Sequence, residues 1–341
     1  MKHLLADTHR FLVGILAISL GMSTYGCSDS VSVSDDVQVP LSGLTVTPGT
    51  LQPGFSSNTT SYTVEAPTAA TSVVVTATPR DSTTTLTING IATVAGQERT
   101  VPIGPPGSTT PISIVLSSQT GTETSYSVTV TRLLSGDNKL TALTVTSGTL
   151  NPPFDPATTT YTVDVATDMT NVDVSATKSD PSAGMQIGSV SVPAGTASGQ
   201  ANFQLGEPGT TIPVSINVTA PNGTPNTYTI TVKRAPSNNA NLSGLLVNEG
   251  PLNPVFAVGT LNYSVDVAGT ITSITVTATK SDLKAVMLVH SVTVPAGTDT
   301  GQATIPLNGP GADTPVSITV TAQNGVDIKT YLITAHQLVS R

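Results

Sequence analysis

The side chains able to do chemistry are few, and their spacing narrows the chemistry further. The chain holds one cysteine and four histidines in 341 residues. Cys27 stands just after the first apolar run, where a thiol can receive lipid once the segment before it is removed. His290 and His336 belong to no H-x-x-x-H or H-x-E pair of the kind that binds zinc. His290 falls in an alternating stretch and is expected to be a strand residue facing solvent. Asp81, Asp180 and Asp282 end the tripeptides "PRD", "KSD" and "KSD", between a strand and a loop, where a carboxylate caps a turn. The lysine of each "KSD" is read as a neighbour that adds solubility. Calcium needs several carboxylates converging on one ion. The stretches "LLSGDNKL" (133–140) and "APSNNANL" (235–242) offer Asp137 and then none. The carboxylates of "DVATD" (164–168) and "SDD" (34–36) lack the repeated pairing that glycoside hydrolysis uses. No G-x-S-x-G elbow or glycine-rich phosphate loop occurs. The expectation is a chain with no catalytic residues, no metal and no cofactor.

The start of the chain has the layout of an export signal. Lys2 and Arg10 precede an apolar run from Phe11 to Met22. That run suits a signal peptide and is shorter than the ~20 residues needed to cross a bilayer. Gly26 before Cys27 resembles the end of a bacterial lipoprotein signal. The resemblance implies cleavage after residue 26 and a diacylated Cys27 that binds the membrane, each buried CH₂ contributing about 0.8 kcal/mol. It places the protein in the bacterial cell envelope, at the outer membrane or cell surface. Residues 27–40 then form a lipidated, flexible tether.

Beyond the tether the composition favours pleated sheet: rich in Thr and Val, punctuated by Gly and Pro, and only 10% charged. A net charge of −8 argues against nucleic acid, which wants a basic stripe. One sentence is written three times: "GTLQPGFSSNTTSYTVEA" from Gly49, "GTLNPPFDPATTTYTVDV" from Gly148 and "GPLNPVFAVGTLNYSVDV" from Gly250. Leu44, Leu143 and Leu245 match, as do Phe55, Phe154 and Phe256, then Tyr62, Tyr161 and Tyr263. A later set follows in Tyr126, Tyr228 and Tyr331. A period near 100 residues exceeds the roughly 20–50 of a solenoid and is that of a whole domain in tandem. The units are set at 41–133, 138–234 and 240–338. Alternating runs such as "TYTVDV" and "VDVSA", broken by Pro and Gly turns, give seven strands in the middle unit, "MQIGSVSV" (185–192) being one. The fold class is all-β: three tandem antiparallel sandwiches of immunoglobulin type. The twelve matched Leu, Phe and Tyr residues are assigned to the three cores. Phe203 is the one ring outside the signal segment with no counterpart, and it lies in an alternating strand, so no aromatic platform for a sugar stands out.

"LSGLTVTPGTLQPGFSSNTTSYTV" with the late "TETSYSVTVTR" resembles the cadherin-like β-sandwich domain of bacterial surface and secreted proteins. The likeness recurs in "LTALTVTSGTLNPPFDPATTTYTV" with "NTYTITVKR" and, more loosely, in the third copy, which ends "KTYLITAHQ". Such domains act as extracellular spacers or binding modules. The resemblance therefore implies a non-catalytic exported stalk or adhesion module, contacting an unknown surface protein. The alternative is a polysaccharide-binding module or an accessory subunit of an extracellular enzyme complex.

Overall fold

A computed structural model describes residues 39–339. The expected signal peptide, Cys27 and most of the tether lie outside the described residues. Among the described residues there is no helix, and the strands fall into three sandwiches. The first holds β1 (Leu41–Thr47), β2 (Leu51–Gln52), β3 (Ser61–Ala66), β4 (Ser72–Pro79), β5 (Thr85–Ile88), β6 (Ile91–Thr93), β7 (Glu98–Pro102), β8 (Thr109–Ser117) and β9 (Glu123–Arg132). The second holds β10 (Leu140–Val145), β11 (Thr160–Val165), β12 (Asn171–Lys178), β13 (Gly184–Ile187), β14 (Val190–Val192), β15 (Ser198–Gln204), β16 (Thr211–Thr219) and β17 (Pro225–Arg234). The third repeats that plan in β18 (Leu242–Val247), β19 (Asn262–Val267), β20 (Ser273–Lys280), β21 (Val286–Val289), β22 (Val292–Val294), β23 (Thr300–Pro306), β24 (Asp313–Thr321) and β25 (Ile328–Gln337).

Each sandwich sets a three-stranded sheet against a larger one. In the second the orders are β10-β12-β15 and β11-β17-β16-β13-β14; in the third they are β18-β20-β23 and β19-β25-β24-β21-β22. The first adds β2 at one edge, giving β2-β3-β9-β8-β5-β6 beside β1-β4-β7. Strand and sheet follow from period-two alternation. In β12 Val172, Val174 and Ala176 are buried while Asn171 is exposed, and β20 repeats the pattern. One ladder departs from the antiparallel rule. β11 runs parallel to β17, from Thr160 opposite Thr229 to Val165 opposite Arg234, and β19 does the same beside β25.

The stretch 185–192 is two strands and not one, so the second sandwich has eight. β13 turns back into β14 across Gly188 and Ser189, with Gly188 at φ +56°. A two-residue hairpin of this hand needs positive φ at its centre, which glycine adopts freely. The glycine of the repeated motif is constrained more tightly. Gly148 sits at φ +79°, and a Cβ there would meet the carbonyl oxygen of Asp164 at 2.5 Å.

The cores close separately. The second sandwich buries a cluster from Leu140 to Val232 and the third a cluster from Ala240 to Ala335, with no residue in common. Both fall within one compact unit of the chain, while most of the first sandwich belongs to another.

Candidate interaction surface

The matched rings are turned inward. Tyr62, Tyr161, Tyr263, Tyr126, Tyr228 and Tyr331 are all buried, as are Leu44, Leu143 and Leu245. Phe55, Phe154 and Phe256 are half-buried and stack on the first tyrosine of their own unit, with ring centroids 6.2–6.3 Å apart. The hydroxyls explain why tyrosine recurs. Tyr161 Oη accepts from Asp155 N (3.3 Å) and lies 2.8 Å from the carbonyl oxygens of Asp155 and Thr158. Tyr228 Oη accepts from Leu140 N (3.2 Å) and donates to Pro156 O (2.8 Å). The early tyrosine therefore shapes the crossing loop, and the late one ties that loop to the start of the first strand. Burial raises Tyr126, Tyr228 and Tyr331 above the ordinary tyrosine range. Phe203 is half-buried against the second core, its ring over Gly188.

The "KSD" motif holds more structure than expected. Asp180 Oδ1 accepts from Ser182 N and Asp282 Oδ1 from Lys284 N, both at 2.8 Å; Asp81 Oδ1 accepts from Thr83 N at 2.9 Å. These are turn caps. A hydrogen bond from the Ser135 hydroxyl holds Asp180 below the usual carboxylate range, and the Thr83 amide does so for Asp81. The lysines are not solubility neighbours. Lys178 and Lys280 are 2% and 3% exposed, and each ammonium donates to two carbonyls: Ala183 and Pro193, or Ala285 and Pro295. Loss of hydration pushes both below the ordinary lysine range, partly offset by Asp180 or Asp282. The signal was available in the sequence: Ile274, Val276, Ala278 and Lys280 share one parity.

The two histidines lie in different parts of the third sandwich. His290 is not within a strand: it occupies the β21–β22 turn at φ +54°, the place of Gly188. His336, in β25, has Asp266 of β19 on one side and Asp313 of β24 on the other. Its Nδ1 lies 2.5 Å from Asp313 Oδ1, and that hydrogen bond raises it above the ordinary 6.5. Among the described residues no three such side chains converge as a metal site. Asp137 Oδ1 accepts from Lys139 N at 3.0 Å.

What distinguishes the third sandwich is its surface. On the outward face of its larger sheet three cross-strand rows carry no charge. They are Val286–Thr321–Ile328, Leu288–Thr319–Thr330 and Ser317–Leu332–Asn262. Val286, Leu288, Ile328 and Leu332 are 43%, 40%, 58% and 37% exposed. The same registers hold Gly184, Gln186, Pro225 and Thr229 in the second sandwich, and Thr85, Thr87, Glu123 and Ser127 in the first. The row Asp266–His336–Asp313 lies on the same face, four residues further along β25 than Leu332. A separate apolar notch of about 200 Å³ opens above Phe256, between Leu246 and Val255. Where the second and third sandwiches meet, Pro208 O accepts from Lys284 Nζ (2.9 Å) and Gln323 Nε2 (3.2 Å). Ser237 N donates to Gln323 Oε1 at 2.9 Å.

A family model described as "Cadherin-like beta sandwich domain" matches residues 41–133, 140–235 and 239–338. No curated protein matches the chain. Among solved structures, the PcdhgB3 EC1-4 fragment is 11% identical with a TM-score of 0.30, covering 86% of this chain and 77% of its own. Mouse cadherin-23 EC22-24 is 12% identical at 0.28, covering 87% and 99%. SGBP-B of the Bacteroides ovatus mixed-linkage glucan utilization locus, in complex with a heptasaccharide, is 11% identical at 0.19, covering 86% and 70%.

Proposed function

The chain belongs to the cadherin-like β-sandwich domain family, and from that premise we propose that it is a non-catalytic, exported lipoprotein serving as a stalk and adhesion module of the cell envelope. The observation that carries this reading is the self-sufficiency of each copy. Every matched ring is folded into the core or loop network of its own sandwich, so the aromatic residues serve construction and not recognition. Repetition of such closed bodies sets a binding surface at a distance from an anchor. The lipid on Cys27 is that anchor, the residues from 27 up to Val39, which is buried and bonds Thr124, are its tether, and the third sandwich is the part presented to a partner protein or a neighbouring cell.

The test follows the anchor and the presented end together. Membrane fractions of cells making the natural chain are compared with cells making Cys27→Ala, and intact cells of both are treated with protease. The expected result is membrane-bound protein that external protease degrades, released into the soluble fraction by Cys27→Ala. Protein soluble in both strains, or purified protein that turns over a substrate, overturns the reading.

A further inference from the structure

We propose that the outward face of the larger sheet in the third sandwich is the partner-binding surface, and that it takes an extended protein segment with aliphatic side chains at one end and basic ones at the other. The proposal rests on the adhesion reading and gives it a face and a partner chemistry. Four aliphatic side chains stand on three adjacent uncharged rows, Val286 and Leu288 on β21 and Ile328 and Leu332 on β25, with Thr319 and Thr321 of β24 between them. Strands two apart in a sheet are separated by roughly 10 Å and alternate rows by about 7 Å, so these groups form one patch. A sheet face exposed to water is ordinarily dressed in polar residues, and neither sibling sandwich carries Val, Leu or Ile at these four registers. A clustered apolar patch of this kind marks a protein contact.

The charge on the same face selects the occupant. Asp266 and Asp313 flank His336 about 14 Å from Leu332 along the strand direction. The row is acidic even with the imidazole protonated. A second copy of this chain brings a net charge of −8, and among the described residues the ladders of β17 and β25 pair no two basic residues to meet it. A segment with lysines or arginines four residues beyond its aliphatic anchors satisfies both halves of the face at once. Apolar burial supplies the affinity, and the acidic row fixes the direction in which the segment lies.

The experiment uses the full mature chain and a fluorescent synthetic peptide that alternates valine with threonine and then lysine with threonine. A peptide with glutamate in place of lysine is the control. The expected result is saturable binding of the lysine peptide, with NMR shifts confined to β19, β21, β24 and β25, and binding at least tenfold weaker for the glutamate peptide. Leu288→Gln with Leu332→Thr places the second sandwich's own residues at these registers, so the fold is kept. In that variant affinity falls at least tenfold with the melting temperature unchanged. Asp266→Asn with Asp313→Asn lowers affinity about threefold or more and flattens its salt dependence. Failure to bind, or binding indifferent to the leucine variant, overturns the proposal. A dimer of the natural chain that the leucine variant dissolves also overturns it, in favour of a second copy as occupant. In cells, aggregation lost on deletion of residues 239–341 but kept by the leucine variant overturns this face alone. Aggregation kept in both overturns the adhesion reading with it.

Discussion

Lys280 shows how a single residue can be held in a core by geometry and not by charge pairing. Its ammonium is sealed from water and satisfies the carbonyls of Ala285 and Pro295, which close the two sides of the β21–β22 region. Lys280→Met keeps the aliphatic stem and removes the donor. One buried and one part-buried acceptor then lose a partner, so the third sandwich is expected to lose about 1–3 kcal/mol, read from urea unfolding. His336 gives a prediction of opposite character, because it is exposed. Its hydrogen bond to Asp313, then the charges of Asp313 and Asp266, raise its folded value above 6.5. A group raised on folding contributes stability that is complete below its unfolded value and disappears as pH climbs through its folded one. NMR titration of the imidazole should place the midpoint above 6.5. Asp313→Asn should bring it down further than Asp266→Asn does.

At the scale of the element, the hairpin that divides β21 from β22 is built with the wrong residue. His290 holds φ +54°, where its counterparts are Gly188 and Asn89. A residue with a Cβ is strained there by about 1 kcal/mol relative to glycine. His290→Gly should therefore raise the melting temperature of the third sandwich. Gly188→Ala should lower that of the second, since its Cβ would meet the Phe203 ring at 2.7 Å. Calorimetry of the two variants checks both signs. The same hairpin shows which parts of the fold could be read from residues alone. "TINGI" in the first copy carries the Asn-Gly signal plainly, whereas "QIGSV" and "LVHSV" hide it behind unbroken alternation, and the middle stretch reads as one strand. Strand existence was legible because parity and turn residues agree along most of the chain. The outward aliphatic rows were not, because "VMLV" is apolar at every position and parity cannot assign its faces. Lys178 and Lys280 were legible by parity, yet a charged residue at an inward position runs against the ordinary expectation for lysine.

At the scale of the molecule, three closed cores imply three separate unfolding events. Ile216 is wholly buried in the second cluster, which shares no residue with the third. Ile216→Ala should cost about 2–5 kcal/mol, and calorimetry should show one transition moved to lower temperature while the third sandwich's stays in place. A single transition shifted as a whole would mean that the cores melt as one body.

The Tyr228–Leu140 hydrogen bond fixes where the chain enters a sandwich, and the parallel pairing of β11 with β17 fixes where it leaves. The start of β17 lies beside the start of β10, and its ten residues carry the exit roughly 30 Å away, at the opposite end. A pull on the two ends then runs along both terminal strands. β17 cannot peel off one bond at a time; it must slide past β11 and β16 together, breaking their rungs in shear. A body threaded in this way resists tension best when its two ends are drawn apart along the strands.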